Sequence, residues 1–541
     1  VPESDVSGRS LKERWLRAQV HLDAFRSNPA DYLTAVKSRL LGLRLRSRHQ
    51  FSALLGHSPR AYDLWMASRE PARLAALPTK GRGDGPQIVA VIDCRQSSHG
   101  CDRSIAALQA AGSDRIVALG ADHPAGATTV LDDVVALADY LVALGDETVW
   151  VLPVQPGDRV SPVAIGAYRA AIEAAPGASR IYADDDLIDD ADRRHSPHFK
   201  PVWNAELVRH LDYVTGASVF ACDPRQIGQS WPAGEQAGSE PVRLPHVLHH
   251  RRSRPEARLA EPAAPCDRLP HVTVIVPTRD GEALLRKCME GLAATRYPSF
   301  DCMVIDNASA DPGALAFLQE LEAGGATIIR EPGAFNYAGM HNRAVSQARG
   351  EVLCLLNNDI EMIGPDWLER MVVHAIRDDV GAVGAKLLYP DGTIQHAGVV
   401  TGIGGGAAHA HRLQEDSEPG YFSRAHLPQF VSAVTAACLV VERRKFEAVG
   451  GFDAENFAVA FNDVDLCLKL NRAGWQSFYE PRAVLIHHES KSRGRDDTEV
   501  KRKRFAGELA ALKQRWHTDT QRDPYHHPEL SVFSEHFVVS L

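Results

Sequence analysis

Three polar clusters and a pair of histidines, each at the end of an apolar run, carry side chains able to do chemistry. The first cluster is Asp306-Asn307-Ala308-Ser309. A carboxylate there accepts a hydrogen bond from the ring N–H of a pyrimidine base, or closes a turn through its side-chain oxygens. The second, Asn357-Asn358-Asp359, sets one carboxylate beside amide oxygens. That set suits a hard divalent cation that also holds a diphosphate, and it equally suits a capped loop. In the third, FNDVDLCLKLNRAGW (461–475), Asp463 and Asp465 open an amphipathic helix. Acidic residues in a first helical turn are favoured by the dipole alone. AVLIHHES (483–490) then ends a buried run in His487 and His488, where a histidine either completes a metal site or is structural.

What must position these side chains is an alternation of strands and helices from 272 onward. It runs VTVIVPT, EALLRKCMEGLAAT, CMVID, ALAFLQELEA, ATIIRE, AGMHNRAVSQAR, VLCLLNND and DWLERMVVHAIR. Repeated βα units with short connections specify a parallel sheet covered on both faces, with ligands at the carboxyl ends of its strands. Upstream, GRGDGP (81–86) reads as a linker and QIVAVID (87–93) as another buried strand. A Pro- and Arg-rich stretch, 241–270, marks a second break. Residues 9–75 show apolar side chains at helical spacing and no strand-like alternation. The chain therefore divides into a helical appendage (1–80), an α/β domain (81–265) and a second α/β domain (266–541).

At 541 residues, 44% hydrophobic and 24% charged, the chain has ample material for a core. Its net charge of -9 provides no drive toward nucleic acid, and no such partner is expected. Residues 1–60 differ, with eleven basic and five acidic side chains, a local charge of +6. KSRLLGLRLRSR (37–48) sets basic residues beside leucines. Such a segment lies on an anionic membrane surface or packs as a cap on the first α/β domain. No apolar run approaches the roughly 18–20 residues that span a bilayer, so the expected location is cytoplasmic, peripheral at the inner membrane if residues 1–60 touch it. Nine cysteines without a C-x-x-C pair read as reduced core thiols.

Taken in order, seven segments reach a family. They are PTRD (277–280), VIDNAS (304–309), FNYAGMHNRAV (335–345), LLNNDIE (355–361), IQHAGVV (394–400), GGFD (450–453) leading to NDVDLCLKL (462–470), and LIHHESKSRG (485–494). In order and spacing they resemble the family 2 glycosyltransferases of bacterial surface polysaccharide assembly, in the rhamnosyltransferase-like subgroup, over about half the chain. The resemblance implies the Rossmann-like GT-A fold of nucleotide-diphospho-sugar transferases. It also implies a divalent Mn²⁺ or Mg²⁺, inversion at the anomeric carbon, and a glycan or lipid-linked glycan acceptor. By motif match, Thr278 and Asp306 hold the nucleoside, with Asp306 on the N3–H that uracil and thymine share, which implies a UDP- or dTDP-sugar donor. Asn336, Asn342, Asn357 and Asn358 line the donor site, Asp359 and His487 bind metal, and Asp463 is the catalytic base. Asp280, His396, Asp465 and His488 lie in the same motifs and join as further candidates. Two positions depart from the family: Asn357 replaces the first aspartate of D-x-D, and Asn462 replaces the glutamate before the base.

RIYADDDLIDDADRRHSPHFKPVWNAELVRHLDYV (180–214) resembles the family segment in which an acidic run leads to F-K-P-x-W. The expectation is tandem GT-A-like domains, the first a degenerate copy. VLPVQPGDRVSP (151–162) places Gln155 and Gly157 where acidic residues would stand and leaves Asp158, so that domain should bind acceptor or partner without catalysis. TGIGGGAAHAH (401–411) reads as a mobile lid over the donor. KQRW (513–516) resembles the Q-x-x-R-W of processive synthases, with Leu512 at the glutamine position, and a processive synthase is not expected. Two alternatives stand beside the transferase: a catalytically weak glycan-binding scaffold, and a nucleotidyltransferase of similar sheet topology. The latter would usually hold a triphosphate on a Gly-rich basic loop, which PTRDGEALLRK (277–287) lacks.

Overall fold

The structure, a computed structural model, describes residues 10–78, 85–120, 126–145, 149–224, 227, 231, 240–260, 268–489 and 498–541. Residues 81–84 of the expected linker, 261–267 of the Pro- and Arg-rich break and 490–494 of the last motif lie outside the described residues.

Five helices come first: Leu11–Ser27, Pro29–Leu40, Arg44–Gly56, Ala61–Ser68 and Glu70–Ala75. A nine-stranded sheet follows, built from β1 (Ile88–Asp93), β2 (Arg115–Leu119), β3 (Thr129–Leu131), β4 (Val149–Val154), β5 (Arg159–Val160), β6 (Arg180–Ile188), β7 (Arg194–His198), β8 (Ser218–Cys222) and β9 (Val242–Arg251). The last of these strands lies inside the stretch read as a break, so the first domain runs through it. A second sheet contains β10 (Val272–Thr278), β11 (Phe300–Asp306), β12 (Thr327–Arg330), β13 (Val352–Leu356), β14 (Ile360–Met362), β15 (Val380–Leu388) and β16 (Ile394–His396). After the separate hairpin of β17 (Val399–Thr401) and β18 (Ala407–His409), this sheet is completed by β19 (Gln429–Val431), β20 (Cys438–Glu442) and β21 (Gln476–His487).

The two sheets have one topology. The first runs β3-β2-β1-β4-β8-β6-β9-β5 and the second β12-β11-β10-β13-β20-β15-β21-β14. Strand for strand the directions agree: β8 and β20 run antiparallel to both neighbours, β9 and β21 parallel to β6 and β15. The expected tandem α/β architecture with a helical N-terminal region is what the chain adopts. The sheets are mixed rather than all-parallel, because β20 returns from the long excursion after β13 and enters its slot in the opposite direction.

Alternation along the strands builds a core on each face of the second sheet. Ile275, Leu353, Leu355 and Leu439 point into one apolar cluster, and Val274, Val276, Cys354 and Val440 into the other. Burial on both faces explains why these strands read as unbroken apolar runs. The covering helices show one-sided patterning: in Glu282–Ala293 the buried residues are Leu285, Cys288 and Leu292.

A cluster of Tyr62, Trp65, Phe199, Val247, Val400, Leu530 and Phe537 joins the N-terminal helices, the first sheet, the β17–β18 hairpin and the C-terminal segment. Tyr62 Oη donates to Asp186 at 2.6 Å, and Trp65 Nε1 donates to Glu529 at 2.6 Å. The Ala61–Ser68 helix is therefore a cap. The Leu11–Ser27 helix buries Leu16, Val20 and Ala24, while Leu11, Trp15, Ala18, Leu22 and Phe25 recur at helical spacing on its opposite, exposed side.

Two sequence expectations are corrected. Residues 401–411 form a packed hairpin and not a mobile lid: Gly404 N donates to Val532 O at 2.9 Å, and Thr401 N donates to Asp523 Oδ2 at 2.7 Å. Cys94 and Cys101 are bonded to each other, because the turn after β1 folds back onto the first turn of the Cys101–Ala110 helix. Among the described residues no helix is long and apolar enough to cross a membrane.

Candidate active site

The carboxyl ends of β10, β11, β13 and β21 share one edge of the second sheet, and the polar clusters stand there. Thr278 ends β10 in register with Asp306 at the end of β11, and both are buried. Asn358 Nδ2 donates to Thr278 Oγ1 at 3.0 Å, tying the loop after β13 to β10. Asp306 accepts from Ser309 N at 3.0 Å and from the Arg330 guanidinium at 2.7 Å. It closes its turn, and each oxygen retains a second lone pair.

Asp359, also buried, stands immediately before β14. Its Oδ1 has no hydrogen-bond partner, although His487 Nε2 lies 3.1 Å away. The other imidazole nitrogen aims the ring: Nδ1 meets Gln395 Oε1 at 2.7 Å. The amide's own orientation follows from Gln395 Nε2, which donates to Glu489 at 2.9 Å, since a carboxylate only accepts. Nδ1 therefore carries a proton, and Nε2, which accepts from Asn357 Nδ2 at 3.4 Å, also faces the Asp359 oxygen. A proton or a metal cation relieves that arrangement.

Asp463 opens the Asn462–Arg472 helix and is half-buried. Its Oδ2 accepts from Ala436 N at 3.1 Å and its Oδ1 from Val464 N at 2.8 Å. The adjoining Ala437 O accepts from Asn357 N at 2.9 Å, so the two residues before β20 tie Asp463 to the Asp359 loop. Tyr337 Oη donates to Ala436 O at 2.9 Å, and its phenol is pushed well above the usual range, by burial first and then by negative groups that include Asp463 and Asp359. Behind this, the Glu499–Trp516 helix sets the loop preceding Asp463. The Glu508 carboxylate accepts from Val459 N at 2.9 Å and Ala460 N at 3.2 Å.

Other expected site residues are spent elsewhere. Asn336 caps the Tyr337–Val345 helix through Gly339 N at 2.8 Å and donates to Ala454 O at 3.0 Å. The Asn342 amide accepts from Phe452 N at 2.9 Å and donates to Phe452 O at 2.8 Å. Both asparagines shape the GGFD turn, where Gly451 has φ +61° and a Cβ would lie 2.7 Å from Asn342 Oδ1. Asp280 staples its loop by accepting from Ala310 N and Asp311 N at 2.6 and 2.8 Å. His396 is buried, bonded to Ala385 O and Thr435 N, and held far below the usual imidazole range by burial. His488 faces away, 2.9 Å from Glu361, because successive residues at the end of β21 point to opposite sides. Asp465 accepts from Arg515 and Trp516 at 2.9 and 2.8 Å and so anchors the C-terminal helix. That contact also gives the KQRW segment its role. Gln395 was missed beside the flagged His396. Its signal was strand alternation, which sends adjacent side chains of IQH to opposite faces.

Residues 273–448 match the family model described as Glycosyl transferase family 2. This region is a family 2 glycosyl transferase domain. Among relatives, Uncharacterized protein y4gI of Sinorhizobium fredii is 38% identical over 441 residues, covering 71% of this chain and 48% of that protein. The O-antigen biosynthesis protein RfbC of Myxococcus xanthus is 33% identical over 69% of this chain and 33% of its own length. The N-acetylglucosaminyl-diphospho-decaprenol L-rhamnosyltransferase of Mycobacterium tuberculosis is 31% identical over 26% of this chain and 48% of the enzyme. The chain thus spans a third to a half of the length of these relatives. Of solved structures, the mannosyltransferase PcManGT of Pyrobaculum calidifontis, in complex with GDP-Man and Mn²⁺, aligns at 20% identity and TM-score 0.35 over 48% of this chain and 68% of that one. GalNAc-T7 with UDP, GalNAc and Mn²⁺ aligns at 12% identity and TM-score 0.37 over 46% and 49%.

Within the glycosyl transferase domain, the Asn342 contacts make a stability element of a residue expected in the donor site. Asn342→Ala should lower unfolding stability by about 1–3 kcal/mol in urea titration, through two unpaired backbone groups, while leaving the affinity for nucleotide unchanged. A donor-binding loss without a stability loss would restore the original reading.

Proposed function

We propose that this chain is an inverting, metal-dependent glycosyltransferase that moves a sugar from a UDP- or dTDP-sugar to a glycan or lipid-linked glycan acceptor in surface polysaccharide synthesis. The observation that carries the reading is the unpartnered, buried Asp359 Oδ1 facing His487 Nε2, on the same sheet edge as Thr278 and Asp306 and linked through Ala436–Ala437 to Asp463. One oxygen and one imidazole nitrogen fit Mn²⁺ or Mg²⁺, which commonly take one or two protein ligands and complete their shell with phosphate and water. When bound, the metal supplies positive charge against the departing diphosphate.

The protein's own residues do the rest. Thr278 and Asp306 bind the nucleoside, and Asp463 takes the proton of the acceptor hydroxyl as its oxygen attacks the anomeric carbon and the bond to phosphate breaks. The first sheet has no such role. Its Asp158 precedes β5 as Asp359 precedes β14, and Arg159 pairs with His250 as Ile360 pairs with His487. There the guanidinium of Arg251 lies 3.8 Å from Asp158 and 3.9 Å from Asp185, filling the place with a fixed cation, and His250 turns to Asp186 at 2.7 Å. Burial still pushes Asp158 up to about 6. We assign this domain to acceptor or partner binding.

Residues 11–48 support peripheral attachment to an anionic membrane on the cytoplasmic side. Leu40 and Leu45 are 83% and 72% exposed at a helix corner that also exposes Lys37, Arg39, Arg44 and Arg46.

Asp463→Asn should reduce transfer at least about 100-fold while preserving nucleotide affinity, and Asp359→Ala should weaken both Mn²⁺ and donor binding. Full activity in excess chelator would remove the metal from the mechanism. UDP and dTDP should bind at least about tenfold more tightly than GDP in calorimetry, because an Asp306 placed for a pyrimidine N3–H is out of register with the N1–H of the larger guanine; equal binding overturns that assignment. In sedimentation with vesicles containing phosphatidylglycerol, Leu40→Ser/Leu41→Ser/Leu45→Ser should lose most of the wild-type binding, and equal binding by both proteins would exclude the membrane contact.

A further inference from the structure

Gln395 makes three hydrogen bonds around the site, and together they leave it no freedom. Its Nε2 donates to the Glu489 carboxylate at 2.9 Å, its Oε1 meets His487 Nδ1 at 2.7 Å, and its backbone oxygen meets His409 Nδ1 at 2.8 Å. The glutamine side chain is buried, while its partner Glu489 lies at the surface. Because the carboxylate accepts only, the amide presents oxygen and not nitrogen to His487. That histidine must then donate from Nδ1, and His409 must do the same toward the backbone oxygen.

We propose that Gln395 is a positioning residue that holds His487 in the Nδ1–H tautomer, so that an unprotonated Nε2, which accepts a long hydrogen bond of 3.4 Å from Asn357 Nδ2, faces Asp359 to make a pair of metal donors. The inference rests on the reading of Asp359 and His487 as metal ligands and adds the partner behind the imidazole. Such outer contacts fix both tautomer and ring direction. With leucine at 395 the ring loses its acceptor, the two tautomers interconvert, and the Nε2–H form turns a proton toward the place where a cation would sit. Glu489 matters in the same way: it decides which end of the amide faces the histidine.

Two measurements on the full chain test this. In metal-free protein labelled with ¹⁵N-histidine, His487, assigned by its loss in His487→Ala, should show the Nδ1–H pattern, and Gln395→Leu should mix or invert it. His409, held by a backbone oxygen, should keep its own pattern in that variant and serves as the internal control. In Mn²⁺ titration followed by electron paramagnetic resonance, Gln395→Leu should bind about 10–100-fold more weakly than wild type. The exchanged pair Gln395→Glu/Glu489→Gln still offers an acceptor oxygen to Nδ1 and still satisfies its neighbour, so it should stay within about threefold of wild type. An unchanged His487 tautomer in Gln395→Leu overturns the proposal, and so does an exchanged pair as weak as the leucine variant. Asp359→Ala separates the two readings. If it binds Mn²⁺ as wild type does, the metal assignment fails while the tautomer measurement still judges Gln395.

Discussion

A carboxylate taken out of water must meet a positive charge or a full set of donors, and much of this molecule is arranged around that demand. On β6 each of three successive aspartates has its partner: Asp184 faces His527 at 2.9 Å, Asp185 faces Lys200 at 2.7 Å and Arg254 at 2.5 Å, and Asp186 faces Arg194 at 2.5 Å. Asp465 has Arg515. Asp359 is met by a histidine alone: its Oδ1 lies 3.1 Å from His487 Nε2 without a hydrogen bond, and among the described residues no lysine or arginine pairs with it. A buried carboxylate left open in this way is costly to folding and is the feature expected where charge arrives with a ligand.

Duplicate topology makes the contrast internal to one chain. The same strand order places Asp158 and Asp359 at corresponding corners, yet the first corner is closed by Arg251, a cation that cannot leave. The other carboxylates of that sheet bond to neighbouring segments of the chain. Asp184 reaches the C-terminal segment, and Asp186 reaches the N-terminal helices through Tyr62.

The same logic explains why residues far from β10–β14 matter to the site. The C-terminal helix holds Asp465 with Arg515 and Trp516 and holds the 459–460 backbone with Glu508, so it sets the direction in which Asp463 enters its helix. The segment around Asp523 pins the β17–β18 hairpin, whose His409 bonds to the backbone of Gln395. Parts of the chain that show no catalytic motif thereby become the second layer of the candidate site.

Local sequence was enough to determine the βα alternation, the helical N-terminus and the strand ends at which polar residues gather. Apolar runs such as VTVIVPT and clusters such as NND carry that information within a few neighbouring residues. The ordered motifs were also enough to reach the family. Local sequence did not determine which way each side chain points once it arrives. Asn336 and Asn342 lie within a motif, yet the GGFD loop, more than a hundred residues away, takes both amides. His396 and Gln395 are adjacent, and only the pleat of β16 decides that the glutamine meets His487. The antiparallel entry of β20, the closure of the first corner by Arg251 and the bare oxygen of Asp359 likewise depend on contacts between distant segments. Hydrogen bonds and ion pairs form between whatever groups the completed fold brings within about 3 Å, and no spacing along the chain encodes that.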